Sequence, residues 1–306
     1  MSGAPPGDMT ADRTHALAFF FQELVNGITT GALYALVALG FTLIYNASDV
    51  VNFAQGEFVM LGGMVTVVLL AAGVPLPLAA LIAIAVAIGV GVALHRLAIE
   101  PARNASPVAL IIITIGASIL IRGIAQIVFD KQFHKLPAFS GDAPFEVLGA
   151  TILPQSFWVM GGTAAIVVLL YVFLERTILG KAVLATAANR LAAHLVGIDT
   201  KLIVTLSFGI AAAIGAVAGI LVTPITLTSY NVGTLLALKG FAGGMLGGMG
   251  NPLGAVLGGL LLGLMEAFGA GYISSTYKDG IAFIVILVVL FISPRGLLGR
   301  RSVERV

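Results

Sequence analysis

Five charged or amide side chains lie within stretches of sequence that are otherwise apolar. They are Glu57, Arg122, Gln126, Lys239 and Glu266. A charged group at the centre of a bilayer costs about 2.5 to 3.5 kcal/mol on insertion scales, so each must face protein or water. These groups could line a translocation path, supply a titrating carboxylate for proton coupling, or pair between helices. We favour pairing, for instance of Arg122 or Lys239 with Glu266, over direct contact with a solute.

Several other chemistries are excluded or disfavoured by the sequence. It contains no cysteine, which excludes disulfides, thiolate catalysis and cysteine-based metal sites. Its 4 histidines lie in separate segments without paired spacing, so no metal site is predicted. The nearest approach to a phosphate loop, Leu179-Gly180-Lys181-Ala182, lacks the leading glycine and the hydroxyl residue. We therefore predict no catalytic residue, and no cofactor or metal bound by this chain.

The composition is that of an integral membrane protein. Hydrophobic residues make up 59% of the sequence and charged residues 10%, and the mean hydropathy is +1.08. A helix needs roughly 20 apolar residues to cross the hydrocarbon core. We predict an all-α polytopic membrane protein with about eight or nine transmembrane helices. The predicted spans lie near residues 24–45, 57–74, 76–95, 108–129, 157–174, 202–222, 235–250, 253–270 and 279–293.

Glycine shapes the predicted bundle in two ways. The segment 235–250 is short and rich in glycine, so it could be a broken or re-entrant helix surrounded by protein. Elsewhere glycine pairs at a spacing of four residues would let helix backbones approach closely, which indicates a tightly packed bundle. The pairs are Gly27 and Gly31, Gly215 and Gly219, Gly254 and Gly258, and Gly259 and Gly263.

Basic residues are concentrated on one side of the predicted bundle. If every span crosses, the loops near 46–56, 95–107 and 175–201 share a side with the C-terminal end. The basic residues on that side are Arg96, Arg103, Arg176, Lys181, Arg190, Lys201, Arg295, Arg300, Arg301 and Arg305. The positive-inside rule places this side in the cytoplasm and the N-terminus outside. Residues 1–20 are predicted to be a disordered lead and residues 300–306 a basic cytoplasmic tail.

The polar break at residues 175–201 carries the pattern of an amphipathic helix. The apolar stripe consists of Leu184, Ala188, Leu191 and Leu195, at spacings of four, three and four. The opposite side carries Asn189, Arg190 and His194. We expect Gly180 and Gly197 to fix the two ends of this helix, which covers about residues 180–199. Such a helix between two spans can lie against lipid headgroups or dock to a soluble protein.

Three stretches resemble one known family. The run NGITTGALYALVALGFTLIYNASDVVNFAQGEFVMLGG, residues 26–63, resembles the N-terminal signature of the H-type permease subunits of branched-chain amino-acid ABC importers, the Liv family. Residues 180–199 are similar to the cytoplasmic coupling segment of that family, and residues 247–268 to its penultimate glycine-rich region. In the coupling segment, Ala192 and Ala193 replace the Pro-Glu-like pair familiar in the family. The resemblance extends over nearly the whole chain, so residues 21–299 are expected to form the transmembrane permease domain.

The resemblance implies a subunit of a larger complex in the bacterial cytoplasmic (inner) membrane. The implied fold is that of the type II ABC importer permeases, which include the ribose-type and cobalamin-type proteins. The implied partners are a second permease, either M-type or another copy, two cytoplasmic ATPase subunits that bind ATP and Mg²⁺, and an extracytoplasmic solute-binding protein. Membrane lipid surrounds the complex, and no nucleic acid is expected to bind.

The function implied by the resemblance is uptake of branched-chain or related apolar amino acids, driven by ATP hydrolysis in the partner subunits. The same architecture could carry urea, short amides or other amino acids. The residues alone leave a different class open, a proton-coupled secondary carrier that uses Glu57 or Glu266. A passive channel would leave the amphipathic segment at 175–201 unexplained.

Overall fold

The computed structural model describes residues 9–147, 149–293 and 296–299. Its α-helices are α1 (Met9–Ser48), α2 (Gln55–Ala71), α3 (Leu76–Leu94), α4 (Pro107–Phe129), α5 (Pro154–Arg176), α6 (Ile178–Ala188), α7 (Arg190–Leu195), α8 (Thr200–Thr226), α9 (Val232–Gly247), α10 (Pro252–Tyr272) and α11 (Lys278–Ile292). A π-helical turn, His95–Ile99, continues α3. Two antiparallel strands, β1 (Phe145–Val147) and β2 (Ala150–Ile152), lie between α4 and α5.

Six helical segments among the described residues are long and apolar enough to cross a membrane. They are His15–Ser48, Leu76–Ile99, Pro107–Phe129, Pro154–Arg176, Thr200–Thr226 and Pro252–Tyr272. Helices α2 and α9 are apolar but shorter. Each span predicted from the sequence overlaps an α-helix. The prediction of a polytopic helical membrane protein is therefore confirmed.

Helix starts follow local capping chemistry. Ser106 precedes α4, and its side chain accepts a hydrogen bond from a backbone N–H in the first turn, while Pro107 supplies a preset backbone angle. Asn251 and Pro252 begin α10 in the same way. The carboxylate of Asp199 accepts two backbone N–H groups at the start of α8. These short polar signals separate apolar stretches that would otherwise merge.

Burial divides the helices into an interior and an outer layer. Most residues of α8 and of the part of α1 from 27 to 44 are buried, and α2, α9 and α10 pack against these two helices. Helices α3, α4 and α5 bury only a minority of their residues. The outer faces carry large exposed apolar side chains, such as Ile119 and Ile127 on α4 and Leu169 on α5. An apolar surface of this kind suits the hydrocarbon of a bilayer.

The predicted glycine pairs lie at helix contacts. A methyl group added to Gly27 would lie 2.9 Å from Cα of Leu264, and one added to Gly31 would lie 2.8 Å from Cα of Leu260. On α2 and α8, the Cβ that Gly215 lacks would lie 2.9 Å from Cβ of Phe58. The backbones of α1 and α10 thus meet without intervening side chains, and the prediction of a tightly packed bundle is confirmed.

The structure corrects two sequence predictions, the disordered N-terminal lead and the absence of β-strands. Helix α1 begins at Met9, so residues 9–20 are helical rather than disordered. The physical reason is contact, since the α1 residues Phe19 and Phe20 pack against aromatic side chains of α10. The all-α prediction misses β1 and β2, whose short pairing closes a polar connection. Residues 1–8 and the predicted tail at 300–306 lie outside the described residues.

The connection between α1 and α2 differs most from the sequence prediction. The sequence predicts a surface loop near 46–56, yet residues 50, 52 and 54 are buried. The backbone N–H of Phe53 donates to Oγ1 of Thr114 on α4 over 3.2 Å. Non-helical backbone is tolerated at membrane depth only where protein satisfies its polar groups, and Thr114 supplies such a group.

Helix α2 consequently begins within the bundle. Nε2 of Gln55 donates to the backbone carbonyl of Ala211 over 3.0 Å. Ala211 lies about 16 Å along α8 from Thr200, at 1.5 Å per residue. The first turn of α2, including Glu57, is therefore placed at depth rather than at a membrane surface.

Helix α9 is continuous, although its glycine content suggested a broken or re-entrant helix. It runs unbroken from Val232 to Gly247, and the chain leaves it through Gly248 at a φ of 104°. Its 16 residues extend about 24 Å, less than the roughly 30 Å of hydrocarbon. A short helix can be accommodated here because α1, α2 and α10 surround it.

The contact between α1 and α10 generates a stability prediction. Gly31→Ala should cost about 1 to 3 kcal/mol, because the new methyl group would meet the Leu260 backbone and push the helices apart. The measurement is the thermal midpoint of the purified protein in detergent. Gly89→Ala is the matched control, since nothing lies within 4 Å of the added methyl group. Equal midpoints for the two variants would contradict the packing argument.

Candidate functional site

A buried ionic cluster joins three helices near the middle of the protein. Lys239 on α9 is 4% exposed and Glu266 on α10 is 5% exposed. Nζ of Lys239 donates to Oε1 and Oε2 of Glu266 over 2.8 and 2.9 Å. Tyr34 on α1 donates its hydroxyl proton to Oε2 of Glu266 over 2.8 Å, and its oxygen accepts from Lys239 over 3.0 Å. Each polar group in the cluster therefore has a partner on another helix.

The last helix contributes a second pair of charges. Asp279, in the first turn of α11, lies 2.6 Å from Nζ of Lys239. Nζ of Lys278 lies 3.9 Å from Oε1 of Glu266. Asp279 and Lys278 are partly exposed, whereas Lys239 and Glu266 are not. The cluster thus continues from the interior towards the surface at the start of α11.

This arrangement is suited to holding helices together. A buried charge must be paired and hydrogen-bonded to be tolerated, and Lys239 meets two carboxylates and one hydroxyl. The pairing of Lys239 with Glu266 is one of the two that the sequence suggested. Tyr34 and Asp279 were missed by sequence reasoning. The available signals were a tyrosine within an apolar span and an acidic residue at the start of the last span.

Glu57 occupies a separate buried position. It is 0% exposed, and its Oε1 accepts a hydrogen bond from Oγ of Ser118 on α4 over 2.8 Å. Among the described residues, no hydrogen-bond partner reaches its Oε2. Gly233, at the start of α9, faces that oxygen, since a methyl group added to Gly233 would lie 2.6 Å from it. The structure therefore brings a carboxylate to the junction of α2, α4 and α9.

The two remaining intramembrane candidates lie on α4. Arg122 follows Ser118 by one helical turn, and Gln126 follows by another. Both side chains are half-buried. Within the described part of the chain, neither forms a hydrogen bond or ion pair. The structure therefore does not bring Arg122 to Glu266. Of the five candidates, only Lys239 and Glu266 meet each other, and Glu57 lies at a separate junction.

The amphipathic segment is two helices rather than one. Asn189 has extended backbone angles, φ −161° and ψ 104°, and it separates α6 from α7. Its side-chain oxygen accepts the backbone N–H of Ala192 over 2.9 Å, so it caps α7. The prediction of one continuous helix is wrong. The side chain of Asn189 bonds the first turn of α7, and its extended backbone ends α6.

The predicted stripe is divided by this break. Leu184 is near Leu170 and Leu174 of α5 in an apolar crevice. Leu191 and Leu195 on α7 are 70% and 78% exposed. Ala188 ends α6 on an exposed position, and Arg190 begins α7 half-buried. His194 is exposed on α7. Leu191 and Leu195 thus form an exposed apolar surface at α7 together with the following residue, Val196.

The two predicted boundary glycines have different roles. Gly197 follows α7 with a φ of 90°, as expected for a glycine after a helix C-terminus. Gly180 does not begin a helix, because Thr177 caps α6 and the helix starts at Ile178. A methyl group on Gly180 would lie 2.6 Å from Cα of Leu174. Gly180 therefore allows α6 to turn closely against the end of α5.

The geometry defines a helical multi-pass membrane protein with a charged interior cluster and an exposed short helix between two spans. Residues 23–290 match the family described as the branched-chain amino acid transport system / permease component. The chain belongs to this family.

Two named relatives agree with this assignment, and one solved structure is similar in fold. The chain is 34% identical over 303 residues to the high-affinity branched-chain amino acid transport system permease protein LivH of Escherichia coli K12, covering 94% of this chain and 98% of the relative. It is 35% identical over 301 residues to the corresponding protein BraD of Pseudomonas aeruginosa, with the same coverage. The structure of PsaBC from Streptococcus pneumoniae in complex with Fab is similar in fold, with a TM-score of 0.50, 16% identity and coverage of 93% of this chain and 95% of that one.

The Lys239 cluster generates a double-mutant prediction. Lys239→Met should cost about 3 to 5 kcal/mol, because it leaves the buried Glu266 carboxylate without its main partner. Lys239→Met combined with Glu266→Met should be clearly more stable than Lys239→Met alone, since the deeply buried Glu266 carboxylate is then no longer left without its lysine. Thermal unfolding of the purified variants in detergent measures both effects. Additive losses in the double variant would show that the two side chains are not coupled.

Proposed function

We propose that this chain is a permease subunit of an ATP-driven importer for branched-chain or similarly apolar amino acids. The observation that carries the proposal is membership of the permease family across residues 23–290. The names of LivH and BraD support the substrate class, since both are called branched-chain amino acid transport permeases. Urea, short amides or other amino acids are alternative cargoes for the same architecture.

The proposed complex contains two ATPase subunits, which bind ATP and Mg²⁺. A second permease, M-type or a copy of this chain, would complete the membrane part, and a solute-binding protein would deliver cargo from outside. The exposed α7 surface supports the docking of an ATPase subunit. Leu191, Leu195 and Val196 project there, and large exposed apolar side chains next to polar ones are typical of interaction sites. Closure of the ATPase pair would then move α6 and α7 relative to the bundle.

We further propose the type II importer fold, in the bacterial inner membrane, with the N-terminus outside and the C-terminus in the cytoplasm. Helices α2, α9 and α11 would complete about eight or nine crossings. The contact between the α3–α4 connection and the start of α8 supports one shared cytoplasmic end. Nζ of Lys201 on α8 lies 3.2 Å from Oε1 of Glu100 in that connection. This end carries the basic residues that the positive-inside rule assigns to the cytoplasm.

The docking role of α7 generates a third prediction. Leu195→Arg should abolish co-purification of the ATPase subunit and stop ATP-driven uptake, because it places a long charged side chain in the proposed apolar contact. Membrane levels should remain near normal, since Leu195 is 78% exposed. Phe133→Arg is the matched control, being 70% exposed in the connection between α4 and α5. Retention of the ATPase and of uptake by Leu195→Arg would reject docking through α7.

A proton-coupled secondary carrier is the second candidate, and the two buried carboxylates Glu57 and Glu266 are the observation that favours it. In an ATP-driven importer, Glu266 serves to hold helices together and need not titrate. Glu266→Gln should then retain uptake within about threefold of wild type, a change under about 1 kcal/mol, with the same pH dependence. Uptake at a series of pH values in the assembled complex measures this. Loss of uptake, or of its pH dependence, in a variant that is still fully assembled would favour the carrier.

A further inference from the structure

Two opposite charges lie between α2 and α4 without joining. Glu57 is 0% exposed; its Oε1 accepts from Ser118, and among the described residues its Oε2 has no hydrogen-bond partner. Arg122 follows Ser118 by one turn, about 6 Å along α4, and its charge acts on the Glu57 carboxylate. Within the described part of the chain, no ion pair within 4.0 Å connects them. We call Glu57 and Arg122 the charged junction.

The surroundings of Glu57 stabilise its charge only in part. Glu57 lies in the first turn of α2, and a methyl group added to Gly233, at the start of α9, would lie 2.6 Å from its Oε2. The aligned backbone dipoles at these two helix starts offset part of the cost of burying a negative charge. They supply no counter-charge, and they do nothing for Arg122. The charged junction therefore suits a cationic group at Glu57 together with an anionic group at Arg122.

An apolar surface adjoins the charged junction. Met60 and Met64 follow Glu57 by three and seven positions, so they share its face of α2. Both are 0% exposed, and they pack with Ile121 and Ala125, the α4 residues near Arg122. Methionine side chains are unbranched and adapt to irregular shapes. A ligand with an apolar group beside its charges would therefore meet a surface that can repack around it.

The combination of charges selects the class of ligand. A free amino acid carries its ammonium and carboxylate groups on neighbouring carbon atoms, so it offers both charges at once. A metal cation would satisfy only Glu57, and urea or a short amide carries neither charge. An amino acid with an apolar side chain matches the carboxylate, the guanidinium and the methionine surface together.

Helix α4 is the element that could open the charged junction. Among the described residues it packs mainly against α2 and the π-helical turn. Two of its four buried residues are Thr114 and Ser118, which bond the connection between α1 and α2 and the Glu57 carboxylate. An element with so few buried contacts is displaced at a lower cost than the interior helices. Movement of α4 away from α2 would expose both charges.

We propose that the charged junction is the site at which the bundle binds the transported amino acid. Glu57 accepts hydrogen bonds from the ammonium group, Arg122 donates to the carboxylate, and Met60 and Met64 contact the side chain. This inference rests on the proposed function, and it narrows the cargo to zwitterions, against urea and short amides. Ser118 is a positioning residue that orients the Glu57 carboxylate.

The first test measures binding of radiolabelled leucine to the full permease complex in phosphatidylcholine nanodiscs. Glu57→Gln and Arg122→Gln should each weaken binding by roughly 10-fold or more, because each removes a hydrogen bond to a charged group. Competition by two analogues assigns the groups. Leucinamide lacks the carboxylate and should compete as well as leucine in Arg122→Gln. The acid 4-methylpentanoate lacks the ammonium group and should compete as well as leucine in Glu57→Gln. Both analogues should compete less well than leucine in the wild type.

The second test measures ATP-driven leucine uptake and thermal midpoints of the same variants. Each single variant should reduce uptake by roughly 10-fold or more without lowering the midpoint, because it removes a buried charge that has no counter-charge within reach. The double variant should transport no better than either single variant. A purely structural ion pair predicts the reverse, since removing both charges would restore uptake. Glu266→Gln is the matched control, because it neutralises another buried carboxylate and should keep uptake within about threefold of wild type.

The outcomes separate this inference from the proposed function. If the wild-type complex shows no ATP-dependent uptake of leucine, the proposed function fails. If it does, but wild type binds no leucine in nanodiscs, or both single variants bind and transport as wild type, the importer stands and the proposal is overturned. Uptake that follows a proton gradient and loses this dependence in Glu57→Gln would assign Glu57 to proton coupling, which also overturns it. If Glu57→Gln does not fold, Arg122→Gln decides alone, and a preference for leucine over leucinamide equal to that of wild type contradicts the proposal.

Discussion

The close contact between α1 and α10 is the constraint on which the rest of the structure depends. Within a bilayer, apolar side chains gain nothing by leaving lipid for protein, so helices associate through close packing and hydrogen bonds. Gly31 and Gly263 remove the side chains that would hold these two helices apart. The same approach brings the hydroxyl of Tyr34 within 2.8 Å of Glu266. The close packing of α1 against α10 and the hydrogen bond from Tyr34 to Glu266 therefore depend on each other.

The Lys239 cluster holds the interior of the bundle together, whereas α7 presents an exposed surface. The cluster ties α1, α9, α10 and α11 together through charges that would be costly to separate. At the opposite end of α5 from β2, α6 packs against α1, α5 and α8, and the helical segment is interrupted at Asn189 before the more exposed α7. In the proposed importer, a firmly held interior would pass force applied by an ATPase at α7 to the spans.

The sequence predicted most of the helices but few of the contacts between them. Apolar length and capping residues are local, so every predicted span overlaps a helix. The partly buried connection at 49–54 could not be predicted, because Thr114, far away along the chain, bonds the backbone groups of Val51 and Phe53. The break at Asn189 was predictable in principle from its capping chemistry, but the four-residue apolar spacing favoured a continuous helix. Tyr34 and Asp279 were missed because their roles depend on which helices are neighbours.

The energy source of transport is the most direct test of the account. The complete complex is reconstituted in proteoliposomes that enclose ATP, and radiolabelled leucine is supplied outside with the cognate solute-binding protein. The account predicts leucine accumulation that requires enclosed ATP and the binding protein and is unaffected by a protonophore. Accumulation without ATP, driven by an imposed proton gradient and abolished by the protonophore, would contradict it.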